Sequence, residues 1–136
     1  MINIKFLIVT YLIGLSVDWI LQWEWQATNK SKWDKSDNKK QSFYALLSHS
    51  INYALWVTVF VNILIDLTSI QCVIVIMALF ISHAIIDTRI PVKAIMRFKG
   101  LTDEQINDYT NYGFMHIGID HRLHELVILI LSLFIK

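Results

Sequence analysis

An apolar run from Ile70 to Ile90 contains, near its end, His83-Ala84-Ile85-Ile86-Asp87. A run of that length reads as a helix able to cross about 30 Å of hydrocarbon. On such a helix a histidine and a carboxylate four residues apart point the same way, one turn apart. Ionisable groups at that depth are costly, roughly 2.5–3.5 kcal/mol for a charged acid on insertion scales. A chain that tolerates such a pair generally uses it. The same spacing recurs in Asp18/Gln22 and in Asp120/His124.

The rest of the chain fits a bilayer. Its 136 residues suffice for one domain. They are 55% hydrophobic and only 17% charged, with a mean hydropathy of +0.49. A water-soluble domain this small could not bury so much apolar side chain. The net charge of +1 gives nucleic-acid binding no support. The single cysteine, Cys72, has no partner for an internal disulfide and lies among Ile70, Val73 and Ile74 as lipid-facing or packing filler.

The pattern predicts an all-α polytopic membrane protein with four spans, at approximately 4–23, 43–65, 70–90 and 114–135, in one transmembrane domain, 1–136. The first span is expected to be a retained helix, because Asp18 and Gln22 interrupt its end and no small-x-small cleavage site follows. Trp19, Trp23, Trp25 and Trp33 cluster at and beyond that end, as interfacial aromatics do. Glu24 to Gln41 reads as a solvated loop with snorkelling lysines, or as a basic patch meeting anionic headgroups. The link Asp66 to Ser69 is short, so spans two and three form an antiparallel hairpin. Pro91 is expected to end or kink the third helix. Val92 to Lys99 suits a short basic helix in the interface. Thr102 with Gln105 resembles a capping box that starts another short helix, and Gly113 marks the next break.

Basic residues orient the chain. Lys30, Lys32, Lys35, Lys39 and Lys40 lie between spans one and two, and Arg89, Lys93, Arg97 and Lys99 between spans three and four. The positive-inside rule puts these loops in the cytoplasm and both termini outside, in an inner membrane. Asp18, His49, His83, Asp87, Asp120 and His124 then share one layer roughly 5–15 Å below the cytoplasmic surface.

Imidazoles and carboxylates at one depth are nitrogen and oxygen ligands, suited to a divalent metal: zinc first, manganese or iron as alternatives. The candidate ligands are His49, His83, Asp87, Asp120 and His124, with Asp18 as a ligand or general base. His-x-x-x-Asp runs toward the cytoplasm and Asp-x-x-x-His runs away from it. Antiparallel helices therefore set Asp87 beside Asp120, and His83 beside His124 one turn deeper. A catalytic site keeps an open position for water, whose pKa the metal lowers. The alternative is an interhelical hydrogen-bond network without metal. His116 reads as a satisfied interfacial histidine, and His121 and Glu125 lie on a neighbouring face.

Asp18 to Gln22, Lys30, Leu46 to His49, His83 to Asp87, and Asp120 to His124 together resemble a pattern in a family of small integral membrane proteins of bacteria and phages with a domain of unknown function. Family members often carry a histidine four residues before the first Asp, where this chain has Gly14, and Gln after the last Asp, where it has His121. A more distant likeness to membrane-bound metal-dependent hydrolases implies hydrolytic activity by analogy. Two function classes follow. One is a metal-dependent membrane hydrolase acting on an amphipathic or phosphorylated substrate, with an anionic lipid as a candidate partner. The other is a non-enzymatic membrane module: an oligomeric channel, a membrane-disrupting effector or a partner-binding protein.

Overall fold

The computed structural model describes residues 2–30, 32 and 38–135. Trp33 of the aromatic cluster and Lys35 of the polar loop lie outside the described residues. Seven helices account for the described secondary structure: α1 (Ile4–Ile20), α2 (Glu24–Asn29), α3 (Lys39–Ile65), α4 (Ser69–Asp87), α5 (Ile90–Phe98), α6 (Asp103–Asn107) and α7 (Tyr109–Phe134). The all-helical expectation holds among the described residues.

The four long helices pack in a ring, α1 on α3, α3 on α4, α4 on α7 and α7 back on α1. Phe6, Val57, Val61 and Val75 are fully buried at its centre. The outer faces are mostly apolar: Ile8 and Leu12 on α1, Ile63 on α3, Ile70 on α4 and Phe134 on α7 are exposed, as is Arg122 in the middle of α7. Asn3 caps α1 by accepting from the Phe6 N–H, and its own N–H donates to the Ser132 carbonyl at 2.9 Å, tying the chain's start to the end of α7.

The α3–α4 hairpin has clear local causes. Asp66 turns left-handed, with φ 59°. Asn62 Oδ1 accepts from the Leu67 N–H at 2.9 Å. Thr68 and Gln71 then form a capping box that opens α4.

Length and composition qualify α3, with 27 residues, and α4, with 19, as membrane-crossing helices. Helix α1 has 17 residues, about 25 Å at 1.5 Å each. Helix α7 is long enough but carries Asp120, Arg122 and Glu125. Two helices, rather than the expected four, therefore pass on length and composition.

Several boundaries differ from expectation. Helix α4 stops at Asp87 rather than residue 90, because Arg89 takes φ 65°. Pro91 lies in the first turn of α5, where its fixed φ and missing N–H are tolerated. The basic helix is present as α5, with Val92 and Met96 buried against Ile106 of α6. The Thr102–Gln105 capping box is present. Gly113 breaks nothing and lies inside α7, which starts at Tyr109 over an Asp108 cap. The Asn111 side chain, donating to Asp108, holds that carboxyl below its usual range.

The largest departure is in the polar loop. Glu24 to Asn29 is helical, and Gln26 Nε2 donates to Ser48 Oγ at 3.0 Å, pinning α2 to α3. The next residue, Lys30, is consequently buried, with 7% of its surface exposed.

Candidate metal centre

Three helices bring four ligand atoms together. His49 Nε2 of α3 lies 2.9 Å from His83 Nε2 of α4. Asp18 Oδ1 of α1 lies 3.1 Å from His49 Nε2 and 3.7 Å from His83 Nε2. Asp87 Oδ2, one turn beyond His83, lies 3.4 Å from His49 Nε2 and 3.3 Å from His83 Nε2. Zinc–nitrogen and zinc–oxygen bonds near 2.0–2.2 Å put ligand atoms roughly 3.3 Å apart in a tetrahedral shell. The five separations fall on either side of that value.

Helix α7 adds His124, whose ring centroid is 4.4 Å from that of His83. Two sets could each hold an ion: Asp18 with His49 and His83, and His83 with Asp87 and His124. In the second set two side chains keep a buried atom without a hydrogen bond, His83 Nδ1 and His124 Nε2, while Asp87 Oδ2 pairs with Lys30. Buried polar atoms are rarely left so, and an ion or ordered water is the usual explanation. The nitrogen and oxygen donors could hold a metal ion.

The residue that composition hid is Lys30. Its Nζ lies 2.9 Å from His49 Nε2 and 2.8 Å from Asp87 Oδ2. It is also 4.0 Å from Asp18 Oδ1. A buried ammonium thus compensates two carboxylates. Its position in the resemblance pattern was the available signal; the surrounding run of lysines pointed to solvent.

Asp120 stands apart from both ligand sets. Its Oδ1 pairs with Arg89 Nη1 at 3.0 Å. The left-handed turn at Arg89 starts the chain's departure from the α4 axis, and the guanidinium pairs with α7. His83 lies beside His124 as expected, while the paired partner of Asp120 is Arg89. His116 is a satisfied histidine: its ring nitrogen meets the Ile106 carbonyl at 2.8 Å and the ring stacks on Tyr109. His121 packs edge-on to Trp19, and Glu125 pairs with Arg122.

Tyr53, one turn beyond His49 on α3, covers the site, stacked on His83 with centroids 3.9 Å apart. A Cβ at Gly14 would come within 2.8 Å of the Tyr53 hydroxyl. The space at Gly14 is thus closed by the Tyr53 hydroxyl. Gly14→Ala should destabilise the fold by about 1–3 kcal/mol, the usual cost of overpacking. A lower thermal midpoint in detergent would show it; an unchanged midpoint would mean that Tyr53 can move freely.

A polar cleft of about 210 Å³ opens beside the cluster, bounded by Asp18, Gln22, Lys30, Arg89, Asp120 and His121 among others. Asp18 is the exposed acid of the cluster, with 17% of its side chain accessible against 1% for Asp87. No protein-family model, curated protein or solved structure matches the chain.

Proposed function

We propose that this is a four-span inner-membrane protein with a divalent-metal centre in its cytoplasmic leaflet, acting as a metal-dependent hydrolase on an amphipathic or phosphorylated substrate. The observation that carries the reading is the convergence of His49, His83, Asp18 and Asp87 within 3.7 Å of one another along the five measured edges. The apolar outer faces of α1 and α7 support bilayer placement beside α3 and α4. Asp18, Asp120 and His124 on these helices turn inward, where intramembrane ionisable groups belong, while Arg122 of α7 is exposed and pairs with Glu125.

His49, His83, Asp87 and His124 are the proposed ligands. Asp120 holds Arg89 at the cleft instead. A divalent ion held by these residues would supply charge stabilisation and water activation near neutral pH. Asp18 suits the general base, because it touches His49 and also borders the cleft. Arg89 and Lys30 border that same cleft, paired with Asp120 and Asp87 respectively.

Metal analysis of the purified protein should find stoichiometric divalent metal, and Asp87→Ala should lose most of it. A metal-free wild type under metal-replete conditions would remove the centre and the hydrolase reading together. Orientation has its own test. Arg97→Cys, in a background with Cys72 replaced, should be labelled by an impermeant thiol reagent only after the cytoplasmic face is opened. Labelling in intact cells would invert the topology.

The position of Lys30 favours a second reading. An ammonium already sits among the candidate ligands, so the cluster could be an ion-pair network that holds the helices without metal.

A further inference from the structure

Helix α7 carries one pair of charges that the internal cluster does not absorb. Arg122 keeps 79% of its side chain exposed and Glu125 26%, and the two pair with each other. Glu125 is nine residues before Phe134, the last residue of α7, or about 14 Å along the axis. Arg122 lies about 18 Å from that end. In a hydrocarbon layer of roughly 30 Å these positions are the middle and the adjoining cytoplasmic half. A lipid-facing arginine snorkels to the nearer headgroups, here the cytoplasmic ones. Arg122 instead pairs with Glu125, one turn deeper. That contact engages Nη1, on a guanidinium with five N–H donors. Hydrocarbon accepts none of the others, and intramembrane charges ordinarily face protein.

The same surface has a matching shape. Arg122 and Glu125 border an apolar groove of about 640 Å³ between Ile8 and Leu12 of α1 and Leu126 and Leu129 of α7. Beside it, Gly118, Arg122, Leu126 and Ile130 are exposed at every fourth position of α7, a ridge of the kind that packs into a groove on a neighbouring helix pair. Ridge and groove lie on one face, so a twofold axis along the membrane normal sets each copy's ridge in the other's groove. The same operation brings Arg122 of each copy to the groove wall that holds Glu125 of the other. We propose that this face binds a second copy of the chain, in a twofold dimer whose four charges form a ring of alternating sign. A partner of one charge sign leaves one member of the pair unmatched; a second copy matches both.

The dimer rests on the four-span reading, because hydrocarbon is what makes the exposed pair costly. Alkaline carbonate extraction of membranes checks that reading separately. The main test co-expresses full chains with two different tags in a Cys72→Ser background. Arg122→Glu leaves two acids on the face, and Glu125→Arg leaves two bases. Each variant alone should dimerise at least about tenfold more weakly than the parent, through like charges across the interface. Co-expressed, the two should form a mixed dimer of parental strength, measured by capture on one tag and by light scattering in detergent. The pair within each chain is broken in both variants, so recovery on mixing reports contact between copies. Leu126→Cys should form a disulfide-linked dimer on mild oxidation in membranes. Leu55→Cys, exposed on α3 across the ring from α7, should not.

A carbonate-resistant parent that is monomeric, with Leu126→Cys uncrosslinked, would overturn the dimer alone and leave the pair to lipid or to an unlike partner. Folded variants that do not recover on mixing would overturn the charge ring. Equal crosslinking of Leu55→Cys would show random collision and overturn the assigned face. Extraction of the parent by carbonate would remove the four-span reading and the dimer with it.

Discussion

His49→Ala should empty the metal centre and lower the thermal midpoint by roughly 10 °C, the equivalent of about 3–5 kcal/mol for breaking a buried polar cluster in a chain this size. His49 is one of the two imidazoles at the centre of the cluster. Its Nε2 is within 3.4 Å of His83, Asp18, Asp87 and the Lys30 ammonium. One imidazole nitrogen cannot satisfy four neighbours by hydrogen bonds, since it offers either one proton or one lone pair. An ion in place of the ammonium would satisfy both imidazoles and both carboxylates at once. The alanine removes a ligand and also leaves Lys30 and two carboxylates short of a partner. His49→Gln separates these effects. Its amide can accept from Lys30, so part of the stability should return while the metal does not. Full metal retention by His49→Ala, measured on folded protein, would exclude His49 from any centre.

Much of this site could be read before any coordinates, for a geometric reason. Helices of bilayer length and short links fix depth to within about a turn, so His49 and His83 had to meet once α3 and α4 formed a hairpin. Side-chain direction within the layer is another matter. Asp120 borders the same cleft as Asp18, but the left-handed turn at Arg89 supplies it with a guanidinium. No spacing rule predicts which cation reaches an acid first. Lys30 was obscured by its neighbours' composition. A short helix and one contact, Gln26 to Ser48, turn a single lysine of a polar run inward. Gly113 misled because glycine in a helix interior costs only about 1 kcal/mol. Here α7 starts earlier, on the Asp108 cap, and runs through it.

Lys30→Met should have opposite effects with and without metal, and this separates the metal centre from the ion-pair network. In metal-free protein the ammonium is the nearest cation to Asp87, at 2.8 Å, with Asp18 at 4.0 Å. Removing it strands two carboxylates in a largely buried site, so metal-free Lys30→Met should lose about 3–5 kcal/mol. With zinc present the sign reverses for binding. A like charge at about 4 Å opposes an incoming cation by several kcal/mol at an effective dielectric near 20. The ammonium also occupies the space between His49 Nε2 and Asp87 Oδ2 that an ion would share. Lys30→Met should therefore bind zinc at least about tenfold more tightly than wild type, and zinc should restore its thermal midpoint. A pure ion-pair network predicts the same loss in metal-free protein and no rescue. Calorimetric zinc titration with thermal unfolding of both forms decides it. An unstable Lys30→Met protein that zinc leaves unchanged would make Lys30 the resident cation of this cluster, with no place for a metal.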